Sequence, residues 1–257
     1  MQPLIEGRGL VKRYGQVQAL RGADFAVFPG EVVALIGDNG AGKSTLTKTL
    51  AGTERPDAGE ILFEGRPVSM ERPTDAQELG IETVYQDLAL APDLDGAANL
   101  FLGRELLRRG LAGRLGVLDK ATMRERAIEA FARLGVELQD IDAPIGTLSG
   151  GQRQSVAIAR AVAWADKVIF MDEPTAALGV LQRGRVLEVI RRVRDNGIAV
   201  VLISHNMPEV LSVADRVEVL RLGRRVASLT AADTTVEDLV GAMTGALDGL
   251  DGQGAPA

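Results

Sequence analysis

The chain has no cysteine among its 257 residues, so disulfide bonds and thiolate metal sites are excluded. It also lacks a long apolar run. The best candidates, residues 32–36 and 198–203, are far shorter than the roughly 18 residues of a membrane-spanning helix. The N-terminus has no basic segment followed by an apolar one, the pattern typical of an export signal. We therefore expect a cytosolic protein.

Basic residues are not in excess. The chain has 29 Lys and Arg against 35 Asp and Glu, which gives a formal net charge of −6. Proteins that bind nucleic acid usually carry a clustered excess of Lys and Arg. We therefore expect no direct contact with nucleic acid.

Short runs of apolar, β-branched residues alternate with helical patterns along much of the chain. The runs that predict buried strands cover residues 31–36, 81–85, 167–171 and 198–204. Strands that alternate with helices are typical of βαβ units, so we predict an α/β fold with a mostly parallel sheet. Residues 18–28 and 59–63 predict antiparallel strands at an edge of that sheet, and residues 217–227 predict a hairpin.

The residues after the first buried strand fit the pattern G-x-x-x-x-G-K-[ST], in which backbone N–H groups and a lysine cradle a nucleoside triphosphate. They are Gly37, Asp38, Asn39, Gly40, Ala41, Gly42, Lys43, Ser44 and Thr45. Residues 44–51 then predict the helix that such a loop opens. The pattern predicts that Lys43 reaches the β- and γ-phosphates and that Ser44 binds Mg²⁺. A glycine-rich turn that only caps the helix is the alternative.

A second candidate phosphate site lies about a hundred residues further along. Leu148 is followed by Ser149, Gly150, Gly151 and Gln152, directly ahead of a helical pattern over residues 152–164. A small hydroxyl and two glycines before a helix are typical of an anion site at a helix N-terminus. Because the chain would then recognise phosphate with two surfaces, we expect both to act on one nucleotide.

Two carboxylates follow the predicted strand at residues 167–171, namely Asp172 and Glu173. Ligands of open α/β sheets bind beyond the carboxyl ends of the strands, where the glycine-rich loop also points. Adjacent strand residues face opposite ways, so one carboxylate can serve a metal ion while the other faces a different group. A solvated acidic turn before Pro174 is the alternative.

Three further candidates are single residues that gain meaning from their position. His205 is the only histidine and follows the predicted strand at residues 198–204, while Gln86 follows the strand at residues 81–85. Tyr14 lies in the stretch Lys-Arg-Tyr-Gly near the N-terminus. Taken alone, each is more simply a structural histidine, an ordinary loop glutamine or a packed surface tyrosine.

Over about residues 5–230 these motifs resemble those of ATP-binding-cassette (ABC) ATPases, whose signature is the pentapeptide at residues 148–152. The resemblance implies that ATP and Mg²⁺ bind here, with Asp172 holding the metal through water and Gln86 as a further metal ligand. It implies that Glu173 polarises the attacking water and that His205 contacts the γ-phosphate. It also implies that Tyr14 stacks on adenine, and that Gln86 reports the γ-phosphate state to a membrane partner.

In this family the signature of one subunit closes over the ATP held by the phosphate loop of another, which implies a homodimer on ATP binding. One departure stands out. The family commonly continues after Pro-Thr as S-A-L-D, whereas this chain has Gly179 at the last of these positions. That aspartate helps to couple the two sites, so its absence bears on site-to-site coupling and not on hydrolysis.

Residues 98–105 are similar to the N-(I/L)-x-L-G-R-E stretch of ribose-, xylose- and fructose-type sugar importers. The loop start G-D-N-G and residues 239–245 are similar too. The resemblance implies the single-cassette ATPase subunit of a monosaccharide importer, held at the cytoplasmic face of the membrane by permease subunits and served by an extracytoplasmic sugar-binding protein. An ABC ATPase for another solute and a non-transport, nucleotide-switched ABC protein are the alternatives.

The resemblance also suggests how the chain is organised. We expect one ABC ATPase domain of the P-loop NTPase (RecA-like) type over residues 1–257. Its nucleotide-binding core would comprise residues 1–88 and 160–244, with an antiparallel β edge, and residues 89–159 would form an inserted helical subdomain that carries the signature. Residues 95–135 are rich in Leu, Arg, Ala and Glu at helical spacing, which supports that insert. Residues 245–257 are expected to be a flexible tail.

The basic stretch at residues 104–114 allows two interpretations. It could approach lipid headgroups or a permease loop. A solvated helix face with ordinary arginines is the simpler interpretation.

Overall fold

This computed structural model describes residues 2–85, 87–136, 138–176 and 178–246. The strands within these ranges are β1 (Ile5–Tyr14), β2 (Val17–Val27), β3 (Val32–Gly37), β4 (Ala58–Phe63), β5 (Arg66–Val68), β6 (Ile81–Val84), β7 (Val168–Asp172), β8 (Ala199–Ile203), β9 (Arg216–Arg221) and β10 (Arg224–Thr230). The α-helices are α1 (Lys43–Leu50), α2 (Pro73–Glu78), α3 (Gly96–Leu100), α4 (Leu111–Arg114), α5 (Lys120–Leu134), α6 (Gly150–Trp164), α7 (Val180–Asp195), α8 (Met207–Val213) and α9 (Val236–Thr244).

A six-stranded sheet in the order β10-β9-β3-β8-β7-β6 forms the centre of the fold. All its neighbouring strands are parallel except the β9–β10 hairpin. Every residue of β3 is buried, as expected for a parallel strand covered on both faces. The four apolar runs that predicted buried strands are β3, β6, β7 and β8, so the α/β prediction with a mostly parallel sheet is confirmed.

The predicted antiparallel strands belong to a sheet of their own, with the order β2-β1-β4-β5. Their pairing is antiparallel as predicted, but the strands face the parallel sheet instead of extending its edge. Ile5 and Phe25 from this sheet share one apolar cluster with Leu46 of α1 and with Phe170 and Val201 of the parallel sheet. Apolar burial between the two layers therefore holds the helix after the phosphate loop in place.

Four α-helices, α3 to α6, lie between β6 and β7 in the described chain. Leu100 of α3, Phe131 of α5 and Ile158 of α6 pack in the same apolar cluster as Ile169 and Val200 of the parallel sheet. The helical prediction for residues 95–135 is confirmed for α3 and α5. Because one cluster joins these helices to the sheet, the division of the chain at residues 89–159 stays a prediction.

The basic stretch at residues 104–114 is not one helix face. Only Leu111–Arg114 is helical, and Leu107 pairs with Leu118 as an isolated antiparallel bridge. Glycines interrupt the helical pattern here, since both Gly110 and Gly116 have positive φ. Arg108 and Arg109 are exposed, as the solvated interpretation expected.

The C-terminal part of the described chain closes the fold. The predicted hairpin is confirmed as β9 and β10, joined at Leu222 and Gly223, both with positive φ. The predicted tail at residues 245–257 lies, after its first two residues, outside the described residues. Among the helices that the structure describes, none is long and apolar enough to cross a membrane.

Candidate active site

The phosphate loop runs from the buried end of β3 into α1 with two glycines in tight places. Gly37 has φ 155° and Gly42 has φ 104°. A Cβ on Gly37 would lie 2.2 Å from the carbonyl oxygen of Leu220 on β9, and one on Gly42 would lie 2.6 Å from that of Ala19 on β2. Neighbouring backbone occupies both spaces, so glycine is required at both positions, and the loop packs against β9 and β2 at these two points.

The tip of the β9–β10 hairpin is hydrogen bonded to the same loop. Within the loop, the N–H of Ala41 donates to the carbonyl of Asp38 at 3.1 Å. The N–H of Gly223 donates to the carbonyl of Ala41 at 2.9 Å, and the N–H of Arg21 on β2 donates to the carbonyl of Gly223 at 2.8 Å. The sequence predicted the hairpin but held no signal for its contact with the loop.

Lys43 folds back over the loop that precedes it. Its Nζ donates to the carbonyl oxygens of Gly37 at 2.7 Å and Asp38 at 3.0 Å. Burial lowers the pKa of Lys43, and the nearby carboxylates of Glu173 and Asp172 oppose that shift. The lysine therefore lies within electrostatic range of Asp172, which ends β7, and of Glu173, which follows it.

The remaining loop residues surround this lysine. Asn39, Gly40 and Ser44 are exposed. Thr45 is half-buried, and its carbonyl accepts a hydrogen bond from the hydroxyl of Thr49 at 2.7 Å. The exposed backbone and hydroxyl groups leave this side of the loop open to a ligand.

Asp172 and Glu173 lie where β7 ends. Burial raises the pKa of the Asp172 carboxyl, and the positive charge of Lys43 opposes that shift. Glu173 has φ 51°, an uncommon conformation for a residue other than glycine, and its N–H donates to the carbonyl of Ile203 on β8 at 2.9 Å. The turn after β7 is thus tied to the end of the neighbouring strand.

His205 meets Glu173 directly. Its Nδ1 lies 2.8 Å from Oε1 of Glu173. The side chain of His205 is 76% exposed, whereas that of Glu173 is 17% exposed. The structure therefore brings Lys43, Asp172, Glu173 and His205 together at one end of the parallel sheet, as the sequence predicted from the carboxyl ends of the strands.

Gln86 lies outside the described residues, so its predicted contacts with metal and γ-phosphate stay a prediction. The residues that follow are held from α6. Arg160 donates to the carbonyl of Ala89 at 2.6 Å and to that of Leu88 at 3.0 Å, where both residues have positive φ. Nothing in the sequence marked Arg160, because its partners lie some 70 residues away in the chain.

Ser149 is the N-cap of α6, so a helix follows the signature serine as its sequence position predicted. Its hydroxyl accepts from the N–H of Gln152 at 3.3 Å, and its own N–H donates to Oε1 of Gln152 at 3.0 Å. These reciprocal bonds form a capping box. Ser149 and Gly150 are exposed.

The signature does not meet the phosphate loop within the described chain. Its residues line a cavity of about 490 Å³ with residues of α5 and α7, including Arg185. A Cβ on Gly151 would lie 2.9 Å from the side chain of Gln182 on α7. Gln182 in turn accepts from the N–H of Gly179 at 3.2 Å and caps its own helix.

Tyr14 lies at the end of β1 in the antiparallel sheet. Its hydroxyl is hydrogen bonded to the carboxylate of Glu54, and Nζ of Lys12 lies 5.8 Å from its ring centroid. The ring is exposed. Its predicted contact with adenine stays a prediction.

Comparisons with known proteins place the chain in a family. The family model described as ABC transporter matches residues 20–176. The chain is 53% identical over 247 residues to the fructose import ATP-binding protein of Rhizobium meliloti, and the match covers 95% of each protein. It is 46% identical over 243 residues to a ribose import ATP-binding protein of Yersinia pestis, which covers 95% of this chain and 46% of that protein.

Solved structures agree with the sequence comparisons. The ADP conformation of MJ1267, an ATP-binding cassette of an ABC transporter, superposes with a TM-score of 0.78 at 25% identity and covers 95% of this chain and 96% of that one. A second solved structure, cbiO1 of Clostridium perfringens, superposes with a TM-score of 0.77 at 27% identity, and the match covers 93% of each chain. The chain therefore belongs to the ABC transporter family, as an ATP-binding subunit that hydrolyses ATP.

Proposed function

We propose that this chain is the ATPase subunit of an importer for a monosaccharide of the fructose, ribose and xylose class, and that it works as a homodimer. The observation that carries the proposal is the convergence of Lys43, Asp172, Glu173 and His205 beside an enclosed phosphate loop. The sugar class rests on the names of the import proteins that the chain matches over 95% of its length. The proposed partners are permease subunits and, through them, an extracytoplasmic sugar-binding protein, with the chain at the cytoplasmic face of the membrane.

In phosphoryl transfer, a protein contributes mainly by positioning the reacting groups and stabilising negative charge. Lys43 and the N–H groups of the phosphate loop would neutralise the phosphates of ATP. In the described chain Lys43 is bonded to carbonyls of its own loop, at 2.7 and 3.0 Å. A bound triphosphate would offer the lysine stronger, charged acceptors in place of these carbonyls.

The residues at the end of β7 fit a magnesium ion. Burial raises the pKa of the Asp172 carboxyl, so its charged form lacks full solvation, and a divalent cation would restore that stabilisation. Carboxylate and hydroxyl oxygens are the ligands that Mg²⁺ prefers, and Ser44 supplies the hydroxyl at the first turn of α1. Asp172, Ser44 and Gln86 would hold the ion, which when bound stabilises the charge of the phosphates.

Glu173 is the proposed general base and His205 the group that holds the γ-phosphate. A general base must lie within hydrogen-bond reach of the proton that it accepts, either directly or through one water. The contact of 2.8 Å between these side chains fixes one Glu173 oxygen and leaves the other for a water molecule. The exposed face of His205 is available to the γ-phosphate of ATP.

We propose that a second copy of the chain completes the site, because the cavity beside the signature is lined by residues of α5 and α7 and by none of the phosphate loop. Ser149 and Gly150 are exposed, and the hydroxyl and N–H of Ser149 are bonded to Gln152 within the capping box. A helix N-terminus with free donors is suited to an anion. We propose that Ser149, Gly150, Gly151 and Gln152 of one copy close over the triphosphate of the other.

Reconstitution tests the proposed function. The chain, its permease and its sugar-binding protein would be placed in vesicles, and phosphate release from MgATP would be measured with fructose, ribose, xylose or an amino acid outside. We expect stimulation by one of the sugars, and none with a Lys43→Ala chain. Stimulation by the amino acid would overturn the sugar class. Absence of Mg²⁺-dependent phosphate release under all conditions would favour the nucleotide-switched alternative.

A further inference from the structure

Glu209 lies on α8, four residues after His205, and its side chain is only 13% exposed. Its carboxylate accepts three hydrogen bonds from three parts of the chain. The donors are the hydroxyl of Thr175 at 2.6 Å, the amide of Asn206 at 2.8 Å and the guanidinium of Arg183 at 3.3 Å. No part of the proposed function uses this carboxylate.

The first donor belongs to the loop that leaves Glu173. Thr175 is buried, and the same loop is closed by a bond from the N–H of Ala176 to the carbonyl of Glu173 at 3.1 Å. Arg183 holds the far end of this loop, because its Nε donates to the carbonyl of Leu178 at 2.7 Å. Glu209 therefore fastens the segment that carries Glu173 both directly and through Arg183.

The third donor, Asn206, belongs to the turn that carries His205. Asn206 is the N-cap of α8, since its side-chain oxygen accepts from the N–H of Glu209 at 3.2 Å. The same side chain returns a bond to the carboxylate of Glu209. One carboxylate thus joins the segment next to His205 to the segment next to Glu173.

We propose that Glu209 is a positioning residue that keeps Glu173 and His205 in contact. Glu173 has φ 51°, and such a conformation persists only where the surrounding structure over-determines it. Hydrogen bonds to an ionised acceptor are stronger than neutral ones, so the Glu209 carboxylate is suited to this task. The inference rests on the proposed roles of Glu173 and His205 and adds the group that sets their geometry.

A purely structural role makes a different prediction. An acidic residue in the first turn of a helix stabilises that helix by itself, and Glu209 occupies such a position in α8. If that were its whole contribution, its loss would lower the unfolding temperature and leave the turnover of the folded enzyme unchanged. A positioning role lowers kcat in protein that remains folded.

Glu209→Gln tests the inference in the purified chain. We expect kcat for MgATP to fall about 10- to 100-fold, because small displacements of catalytic groups have effects of this size. The KM for MgATP should change less than about twofold, since the phosphate loop is untouched. The matched control is Glu129→Gln, an exposed carboxylate on α5, which should leave both constants unchanged.

A second variant keeps the test informative if Glu209→Gln folds poorly. Thr175→Val removes one donor with little change in shape, and it should lower kcat in the same direction. The double variant should lose no more than the larger single effect, because both changes break the same connection. Fully additive losses, or wild-type kcat in both single variants, would overturn the inference.

Hydrogen exchange gives a measurement that does not depend on activity. In Glu209→Gln the amides of Ala176 and Leu178 should exchange faster than in wild type, whereas that of Leu46 in α1 should not change. Unchanged exchange at the first two amides would contradict the inference. If wild-type protein fails to hydrolyse ATP at all, the proposed function fails, and hydrogen exchange still decides whether Glu209 anchors the loop.

Discussion

Gly37 and Gly42 of the phosphate loop differ from the start of the signature in how closely the chain packs against them. In the phosphate loop, Gly37 and Gly42 leave no space for a Cβ, and Lys43 is bonded to its own loop. In the signature, Ser149 and Gly150 are exposed, and a Cβ built on Gly150 would have no described atom within 4 Å apart from its chain neighbours and the backbone of its own helix. One half of the proposed site is thus preformed, whereas the other half is exposed on the single chain.

The surface beside the signature is also exposed, and it carries two large apolar side chains. Val180 and Leu181 begin α7 directly after Gly179, and each is 85% exposed. Removing these two apolar side chains from water would be favourable, but in the single chain both remain exposed. The comparison therefore predicts that substitutions on the phosphate-loop side act within one chain, and that substitutions on the signature side act between chains.

Glu173→Gln should have the largest effect. Loss of the general base should lower kcat by about 10²–10⁴-fold. ATP binding should persist, because the phosphate loop and Lys43 are unchanged, and the slow variant should accumulate as a dimer with MgATP. Steady-state phosphate release, nucleotide binding and sedimentation would measure these three properties. Wild-type turnover in the variant would show that Glu173 is not the base.

Gly150→Ala should separate the two halves of the site. A new methyl group on the exposed signature has room within its own chain, so the unfolding temperature and the affinity of the single chain for ATP should not change. Closure over a partner's triphosphate would be hindered, and we expect hydrolysis to fall roughly 10- to 100-fold. The control is Gly184→Ala on α7, where an added Cβ also has no atom within 4 Å. Equal hydrolysis by wild type and Gly150→Ala would contradict the proposed dimer.

Some strands of the fold could be predicted from the sequence, and others could not. Continuous Val and Ile runs predicted β3 and β8 correctly, because buried parallel strands need apolar residues on both faces. β1 was missed, since its sequence contains two glycines and three basic residues. Its pairing with β2 and β4 depends on a partner layer that no local pattern reveals.

Within the site, the order of motifs predicted which side chains would meet but not what supports them. Glu173 and His205 were placed by the ends of their strands, and the structure brings them to 2.8 Å. Arg160, Gly223 and Glu209 act through contacts between distant segments, and no short motif encodes such contacts. The residues proposed to contact the ligand follow from local sequence here, whereas the contacts that support them follow from the fold.

Leu181→Asn should weaken the proposed dimer with no loss of fold. If Leu181 is covered in the dimer, the apolar area lost corresponds to about tenfold or more in the dimer dissociation constant. The measurement is sedimentation with MgATP in a Glu173→Gln background, where the dimer persists. Leu111→Asn on α4 is the control, because Leu111 is similarly exposed but lies far from the signature in the chain. An unchanged dissociation constant would remove Leu181 from the interface.

Glu218→Gln should have the smallest effect on ATP hydrolysis. It tests how a buried carboxyl on β9 affects the stability of the phosphate-loop side of the fold. Glu218 lies on β9, two residues before Leu220, the residue that pairs with Gly37 in the sheet, and the Glu218 side chain is 1% exposed. Burial raises the pKa of the Glu218 carboxyl, and the charges of Arg216 and Arg225 oppose that shift. The change should therefore act on stability and leave ATP hydrolysis nearly intact.

The effect of Glu218→Gln on the free energy of unfolding should depend on pH. A carboxyl with a raised pKa binds its proton more tightly in the folded state, so its contribution to stability is complete below the ordinary pKa of 4.5 and is lost as the pH rises through the folded value. Glutamine is neutral at every pH and loses nothing in this range. Urea unfolding from pH 4.5 to pH 8 should therefore show Glu218→Gln gaining stability relative to wild type as the pH rises. A relative loss would mean that Arg216 and Arg225 outweigh burial, and that this charge network stabilises the phosphate-loop side in its ionised form.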